Sequence, residues 1–342
     1  MSAMDIHQQV PLKNYTTMRL GGSAAYFAEA HTAEDVATLH RTANAQHLPI
    51  FVLGGGSNTI VRDEGFAGLI VHIKILGFEV LADDIYSMTI KIGAGENWDK
   101  VVERTVVSNL SGIEALSAIP GTAGGAPVQN IGAYGQELAD TLVSLEAYDT
   151  TTSQIVTLQN ADCQFAYRSS IFREAETGRY IITSITLKLS KNLPNPPFYE
   201  ALQRYFDERK VTIFTQQVVR DAVIDIRRDK LPNPIEFPNA GSFFKNAIIE
   251  DWQLHDLKKQ YPDAPSYEMS DGRFKIPTGW LIEQTGFKGQ VLHGMRIHDK
   301  NALVLINHEA TGYADLAAAR QEIVDAVYGK FRIPIEQEPL EL

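Results

Sequence analysis

Residues 119 to 135 read Ile-Pro-Gly-Thr-Ala-Gly-Gly-Ala-Pro-Val-Gln-Asn-Ile-Gly-Ala-Tyr-Gly, with five glycines, two prolines and no charge, in a chain where 21% of residues are charged. Glycine lets the backbone take positive φ or approach a ligand closely, and proline excludes regular helix and interior strand. Such a run predicts an ordered irregular loop that lies against something. An earlier stretch, Gly54-Gly-Gly-Ser-Asn58, follows the strand-like Ile50–Leu53 and has the same character. Backbone N–H groups of a glycine-rich turn after a strand can cradle phosphate. Either stretch alone reads first as a plain glycine-rich turn; two in one domain shift the balance toward a dinucleotide and its pyrophosphate.

The rest of the composition narrows the field. A chain of 342 residues, 44% hydrophobic, can bury substantial cores and favours two or three domains. Its formal net charge of −11 argues against a general nucleic-acid binder, which needs a basic face. A phosphate-bearing small ligand needs only a few local donors, so it stays open. Residues 1 to 13 lack an apolar run of signal-peptide length, and no later stretch approaches the roughly 20 apolar residues of a membrane span. The expectation is a cytoplasmic protein without a membrane partner. The single cysteine, Cys163, excludes an internal disulfide or a CxxC site and reads as a small core residue. Nine histidines are dispersed, and the spacings of His293, His298 and His308 suit no common metal site, so no metal is expected. Walker A, GxSxG, HExxH and GxGxxG motifs are missing as well.

In chain order, Thr32 caps an amphipathic helix carrying Val36, Leu39 and Ala43 on one face, ahead of strand Ile50–Leu53. Strands are predicted at 69–73 and 88–92, then a helix from Trp98 to Leu110 capped by Asn97, then strands at 142–148, 155–158 and 180–189. Three prolines between Ser190 and Pro197 mark a linker. Helical spacing resumes at 199–208 and 216–228. Further helices are predicted at 249–260, 278–284 and 314–328, with strands at 302–307 and 333–338. The fold class is α+β, with units at 1–70, 71–195 and 196–330 and a C-terminal strand at 331–342.

Four motifs in order resemble a known family. Gly54-Gly-Gly-Ser-Asn58, the 119–135 run, Tyr167-Arg-Ser-Ser-Ile-Phe172 and Gly241-Ser-Phe-Phe-Lys-Asn246 resemble the UDP-N-acetylenolpyruvoylglucosamine reductases (UDP-N-acetylmuramate dehydrogenases), over nearly the whole chain. The resemblance implies a vanillyl-alcohol-oxidase-type (PCMH-type) FAD-binding fold of two α+β subdomains plus a C-terminal α+β substrate domain. It implies FAD as cofactor, NADPH as reductant, and UDP-N-acetyl-3-O-(1-carboxyvinyl)-glucosamine as substrate, in peptidoglycan precursor synthesis; a monomer is expected, although the sequence does not settle oligomeric state. Gly54, Gly55, Gly56, Ser57 and Asn58 would hold the pyrophosphate. Ile119, Pro120, Gly121, Gly124 and Gly125, with Gln129, Asn130, Gly132, Ala133 and Tyr134, would line the isoalloxazine and pyrophosphate. The cradle contains no histidine to tether a flavin, so non-covalent FAD is expected.

Hydride addition to an enolpyruvyl ether leaves an enolate beside a carboxylate, a dianion that needs positive charge waiting for it. Arg168 matches the family's arginine for this task, and its planar guanidinium can take a carboxylate through two bonds. Ser242 matches the serine that protonates the enolate, with Phe243 and Phe244 excluding water and Lys245 or Lys230 nearby as charge. Glu338 matches the acid that completes the set, with Glu336 and Glu341 close enough in sequence to be confused with it. Tyr199, Lys230 and Asn246 match contacts to the UDP-sugar, Tyr199 as a flap of one of the family's two structural types. Two departures stand out. Ser169 replaces a usual acid, and Leu340 replaces a usual arginine. Residue chemistry alone leaves a flavin sugar oxidase and a flavin-free nucleotide-sugar sensor as rivals, separated by oxygen consumption and by colour.

Overall fold

Thr32 opens the first helix, α1 (Ala33–Ala45), through a reciprocal cap. Its hydroxyl accepts from Asp35 N at 3.1 Å, and the Asp35 carboxylate accepts from Thr32 N at 2.9 Å. Such a cap stabilises a helix by about 1 kcal/mol. The buried face holds Val36, Leu39 and Ala43, as the spacing predicts. The computed structural model describes residues 5–269 and 271–342, so the first four residues of the segment read for a leader lie outside the described residues.

Strand Ile50–Leu53 pairs parallel with Phe66–Ile73, in a four-stranded sheet that also contains Ser23–Ala30 and His7–Pro11. Helix α2 (Trp98–Val107) is capped by Asn97, whose Oδ1 accepts from Lys100 N at 3.0 Å. It stops short of the predicted Leu110 because Asn109 turns the backbone to φ +56°. A second sheet, antiparallel throughout, runs in the order Gln154–Gln159, Leu142–Asp149, Tyr180–Ser190, Ser87–Gly93, Phe78–Asp83. Its last strand escapes the sequence pattern because it is an edge with almost every residue exposed, so no buried face imprints a period of two. Trp98, Val102, Ile90, Ile92, Leu145 and Ile185 share one core beneath these elements. Helices α3 (Glu200–Arg209) and α4 (Gln216–Lys230) form a smaller core of Leu202, Phe206, Val219 and Val223 with Ala115.

The chain folds as two units, and neither is contiguous in sequence. One comprises Ala24–Gly55 and Ala67–Arg227 with the segment before Pro11; the other comprises Pro11–Ser23, Gly56–Phe66 and Arg228–Leu342. The second unit contains an antiparallel sheet ordered Asn239–Ser242, Val304–Asn307, Met295–Ile297, Val291–Leu292. A three-stranded sheet of Ala247–Ile249, Phe274–Ile276 and Tyr267–Glu268 lies in the same unit, with helices α5 (Asp251–Gln260), α6 (Thr278–Gln284) and α7 (Tyr313–Phe331). Helix α7 follows Gly312, which has no side chain to cap it. Asp63 supplies the cap instead, accepting from Tyr313 N at 2.7 Å and Ala314 N at 3.1 Å.

The strand predicted at 333–338 is corrected by the structure. Only a single bridge forms there, between Gln337 and Phe244, and the paired strand is Leu340–Glu341, parallel to Thr59–Ile60. Pro334 and Pro339 each remove a ladder donor, which confines regular pairing to the two residues beyond them.

Candidate active site

In the first unit, the 119–135 run is irregular backbone pinned by its neighbours. Gly121 O accepts from Trp98 N at 3.1 Å, Ala123 N donates to Glu96 O at 2.9 Å, and Gly124 N donates to Ala94 O at 2.8 Å. A Cβ at Gly55 would stand 2.9 Å from Gly121 Cα, so the two glycine stretches meet backbone to backbone there. Only glycine permits that approach. A Cβ at Gly54 or Gly124 would likewise crowd Thr122 Oγ1 at 2.7 Å or Ala94 Cβ at 2.6 Å, so glycine lets these stretches close-pack, and the bare main chain that results fits a dinucleotide.

Four non-glycine residues around this loop hold left-handed backbone, namely Ala118 (φ +57°), Asn130 (φ +44°), Tyr134 (φ +48°) and Arg168 (φ +54°). Each such residue costs on the order of 1–3 kcal/mol unless its surroundings hold it, and such residues concentrate at functional sites. The surroundings do hold them. Asn130 is buried; its Nδ2 donates to Glu137 Oε2 at 2.8 Å and to Ala166 O at 3.3 Å, and its Oδ1 accepts from Ala139 N at 3.1 Å. Arg168 Nη2 donates to Gly132 O at 2.7 Å, and Arg173 Nη1 donates to Gln129 Oε1 at 3.2 Å. Ser169, where the resemblance leads one to expect an acid, donates its hydroxyl to Glu174 Oε1 at 3.2 Å, so a carboxylate still stands beside that position. Ile119, Pro120 and Ala133 complete the same stretch of chain.

Tyr199 precedes α3 and is 53% exposed, its ring edge-on to that of Tyr134 at 6.2 Å between centroids. Burial raises the pKa of the Tyr134 phenol, so it keeps its proton at neutral pH. Arg227 also belongs to this neighbourhood and escapes the sequence reading. Burial pulls its pKa below the ordinary guanidinium value, while Tyr134 and Asp99 favour its charge and Arg168 opposes it. Arginine nevertheless remains charged. Its signal in the sequence is faint: it lies seven residues after Arg220, on the same side of α4.

In the second unit, Gly56 takes φ +62°, where a Cβ would stand 1.9 Å from Tyr15 O. Asn58 O accepts from Leu340 N at 2.9 Å, and Ser57 is half-buried beside it in the chain. Ser242 ends strand Asn239–Ser242 opposite Val304 and is followed by the buried, edge-to-face Phe243 and Phe244. The segment after Ile335 runs along these residues. Lys245 N donates to Glu336 O at 2.9 Å, and Glu338 N donates to Phe243 O at 2.9 Å. That pairing brings Glu338 beside the residue next to Ser242.

The three acids of the tail are sorted by their surroundings. Glu336 is exposed and lies 3.6 Å from Lys245 Nζ. Glu341 is clamped by Arg62 at 2.6 Å and Arg320 at 2.7 Å; burial opposes its ionisation, but these hydrogen bonds outweigh burial and hold its pKa down. Glu338 is half-buried. Asn246 Oδ1 accepts from Thr278 N at 3.2 Å, which orients its amide nitrogen, and Lys230 is exposed at the end of α4. Burial, then Asp162, pushes the Cys163 thiol up to about 12, so this cysteine is inert core. Among the described residues no three His, Cys, Asp or Glu side chains group to hold a metal, and no helix is long and apolar enough to cross a membrane.

Comparison with known proteins agrees with this geometry. Residues 24–159 match the FAD binding domain family, and residues 233–341 match the UDP-N-acetylenolpyruvoylglucosamine reductase C-terminal domain family. The UDP-N-acetylenolpyruvoylglucosamine reductase of Ralstonia nicotianae is 40% identical over 99% of both chains, and that of Cupriavidus pinatubonensis is 40% identical over 99% of both. The crystal structure of the corresponding reductase from Thermus caldophilus shares the fold, at TM-score 0.69 and 23% identity over 99% of each chain. The vanillyl-alcohol-oxidase-type FAD-binding fold with a C-terminal α+β domain is therefore the one this chain adopts. On these grounds the chain belongs to the UDP-N-acetylenolpyruvoylglucosamine reductase family of FAD-dependent oxidoreductases.

Proposed function

We propose that this chain reduces the enolpyruvyl ether of UDP-N-acetylglucosamine to the lactyl ether of UDP-N-acetylmuramate at the expense of NADPH. When bound, without a covalent tether, FAD would supply the hydride, drawn from NADPH, that the methylene carbon of the enolpyruvyl group receives. Gly54 to Asn58 would hold its pyrophosphate, and the loop at 119–135 would line the isoalloxazine and pyrophosphate. Arg168 takes the substrate carboxylate through two hydrogen bonds and stabilises the negative charge that hydride addition creates next to it. Ser242 Oγ then gives its proton to the carbon bearing that charge, so that one hydride and one proton add across the double bond. Glu338 returns a proton to the serine or polarises the enol ether. Tyr199 covers the diphosphate, Lys230 supplies charge to it, and Asn246 donates a hydrogen bond. The enzyme acts in the cytoplasm as a monomer.

The observation that carries this reading is the backbone pairing of 336–338 with 243–245, which brings the chain at Glu338 alongside the chain at Ser242 although the two are distant in sequence. A single anaerobic experiment tests it. NADPH bleaches the flavin absorption of the purified protein, and the enolpyruvyl substrate restores it. No reoxidation by the enolpyruvyl ether, together with oxygen consumption on a sugar substrate in a parallel aerobic assay, points instead to an oxidase. Colour retained in an acid-precipitated pellet contradicts the non-covalent flavin.

A further inference from the structure

Asp99 sits in the first turn of α2, and its carboxylate joins two segments far apart in sequence. Asp99 Oδ1 accepts from Ala118 N at 2.6 Å and from Arg220 Nη1 at 2.7 Å, and Oδ2 accepts from Arg220 Nη2 at 3.0 Å. Arg220 Nη1 also donates to Ser117 Oγ at 2.9 Å, and that hydroxyl donates to Glu114 O at 2.6 Å. Arg220 is 5% exposed. Burial alone would raise the Asp99 pKa, but the hydrogen bonds of Arg220 and Ala118 N outweigh it and keep the carboxylate ionised.

The residue this pair grips is the strained one. Ala118 has φ +57°, a conformation that an L side chain rarely adopts, and it directly precedes Ile119, Pro120 and Gly121. Its N–H is fixed by Asp99, which is fixed in turn by Arg220. Arg220 belongs to α4, and α4 shares a core with α3, whose first flanking residue is Tyr199. A continuous set of contacts therefore runs from the Tyr199 segment through α4, Arg220 and Asp99 to the start of the glycine loop. Neither member of the pair belongs to the proposed cofactor or substrate contacts.

We propose that Asp99 and Arg220 are a positioning pair, which sets the backbone at 118–121 from α4 and so couples the order of the Tyr199 segment to the flavin-facing loop. The proposal rests on the reading of 119–125 as flavin-facing. Arg220→Met leaves a half-buried carboxylate without its cation and frees the turn. Loss of a charge-assisted hydrogen bond predicts about tenfold or greater effects. In the apoprotein the Ala118 amide should exchange with solvent faster by that factor, and in the reconstituted protein the Kd for FAD should rise by a similar factor. Arg220→Lys keeps the charge and one bond, and should recover part of both. Asp99→Asn combined with Arg220→Gln removes the unpaired charge, and should keep the fold while still loosening Ala118. Parental Ala118 protection and parental FAD affinity in Arg220→Met, or in the neutral pair if Arg220→Met fails to fold, overturn the proposal. Gly55→Ala separates the two readings, since its Cβ would meet Gly121 at 2.9 Å. An unchanged FAD Kd there removes the flavin-facing assignment itself. A weakened FAD in Gly55→Ala beside a parental Arg220→Met removes only the positioning pair.

Discussion

Arg168 donates to the Gly132 carbonyl from a left-handed backbone, so the fold fixes its guanidinium, as the proposed carboxylate-binding role requires. Ser242 is held differently, at a strand end ahead of two buried phenylalanines, and its substitution should separate the half-reactions. Ser242→Ala should leave anaerobic flavin reduction by NADPH near the parental rate and slow reoxidation by the enolpyruvyl substrate by about 10² to 10⁴. Stopped-flow absorbance reads both, and equal losses in the two would remove the proton-donor role. Glu338→Gln should likewise slow reoxidation. Glu341→Gln should instead lower the melting temperature and leave the chemistry alone, because its carboxylate is spent on Arg62 and Arg320. At this scale the motif residues were legible through their resemblance, but Asp99, Arg220 and Arg227 were not. An arginine on an amphipathic helix reads as part of its wet face, and only tertiary packing reveals that Arg220 points inward beside the buried Val219 and Val223.

Among the elements, the helices were legible from their spacing and the strands only in part: the alanine-rich Ser23–Ala30 escapes notice although partly buried, whereas Gln154–Gln159 is read although none of its residues is buried. Helix α1 and strand Ile50–Leu53 follow their spacing, whereas the exposed edge strand Phe78–Asp83 carries no alternation to find. The glycine stretches were legible as irregular backbone, but not the contact of Gly55 with Gly121, which joins two distant parts of the chain. Nor could the cap of α7 be read, since the capping Asp63 lies 250 positions from Tyr313. Asp63→Ala should therefore destabilise the protein by about 1 kcal/mol, or roughly 2–4 °C in melting temperature. Asp63→Asn should recover most of the loss, and thermal melts of the two variants check it. Equal melting of parent and alanine variant would show that water serves the α7 N-terminus as well.

At the scale of the whole molecule, stability in acid should depend on Asp149. Its carboxylate faces Arg179 through bonds of 3.0 and 3.1 Å, and chiefly that hydrogen bonding holds its pKa at about 2, below the ordinary 3.8. A depressed folded pKa contributes stability that is fully present above the unfolded value and is lost as pH falls toward the folded one. Melting temperature should accordingly drop between about pH 4 and pH 2, and Asp149→Asn should flatten that part of the profile while lowering the plateau above it. The division of the chain into two interrupted units was not legible, because hydrophobic periodicity marks elements and says nothing about which distant elements share a core. It bears on synthesis. Leu340 and Glu341 pair with Thr59 and Ile60, so the second unit is complete only when residue 341 has left the ribosome. At about 5–20 residues per second, the nascent chain holds the 56–66 segment without its partner strand for roughly 15–60 s.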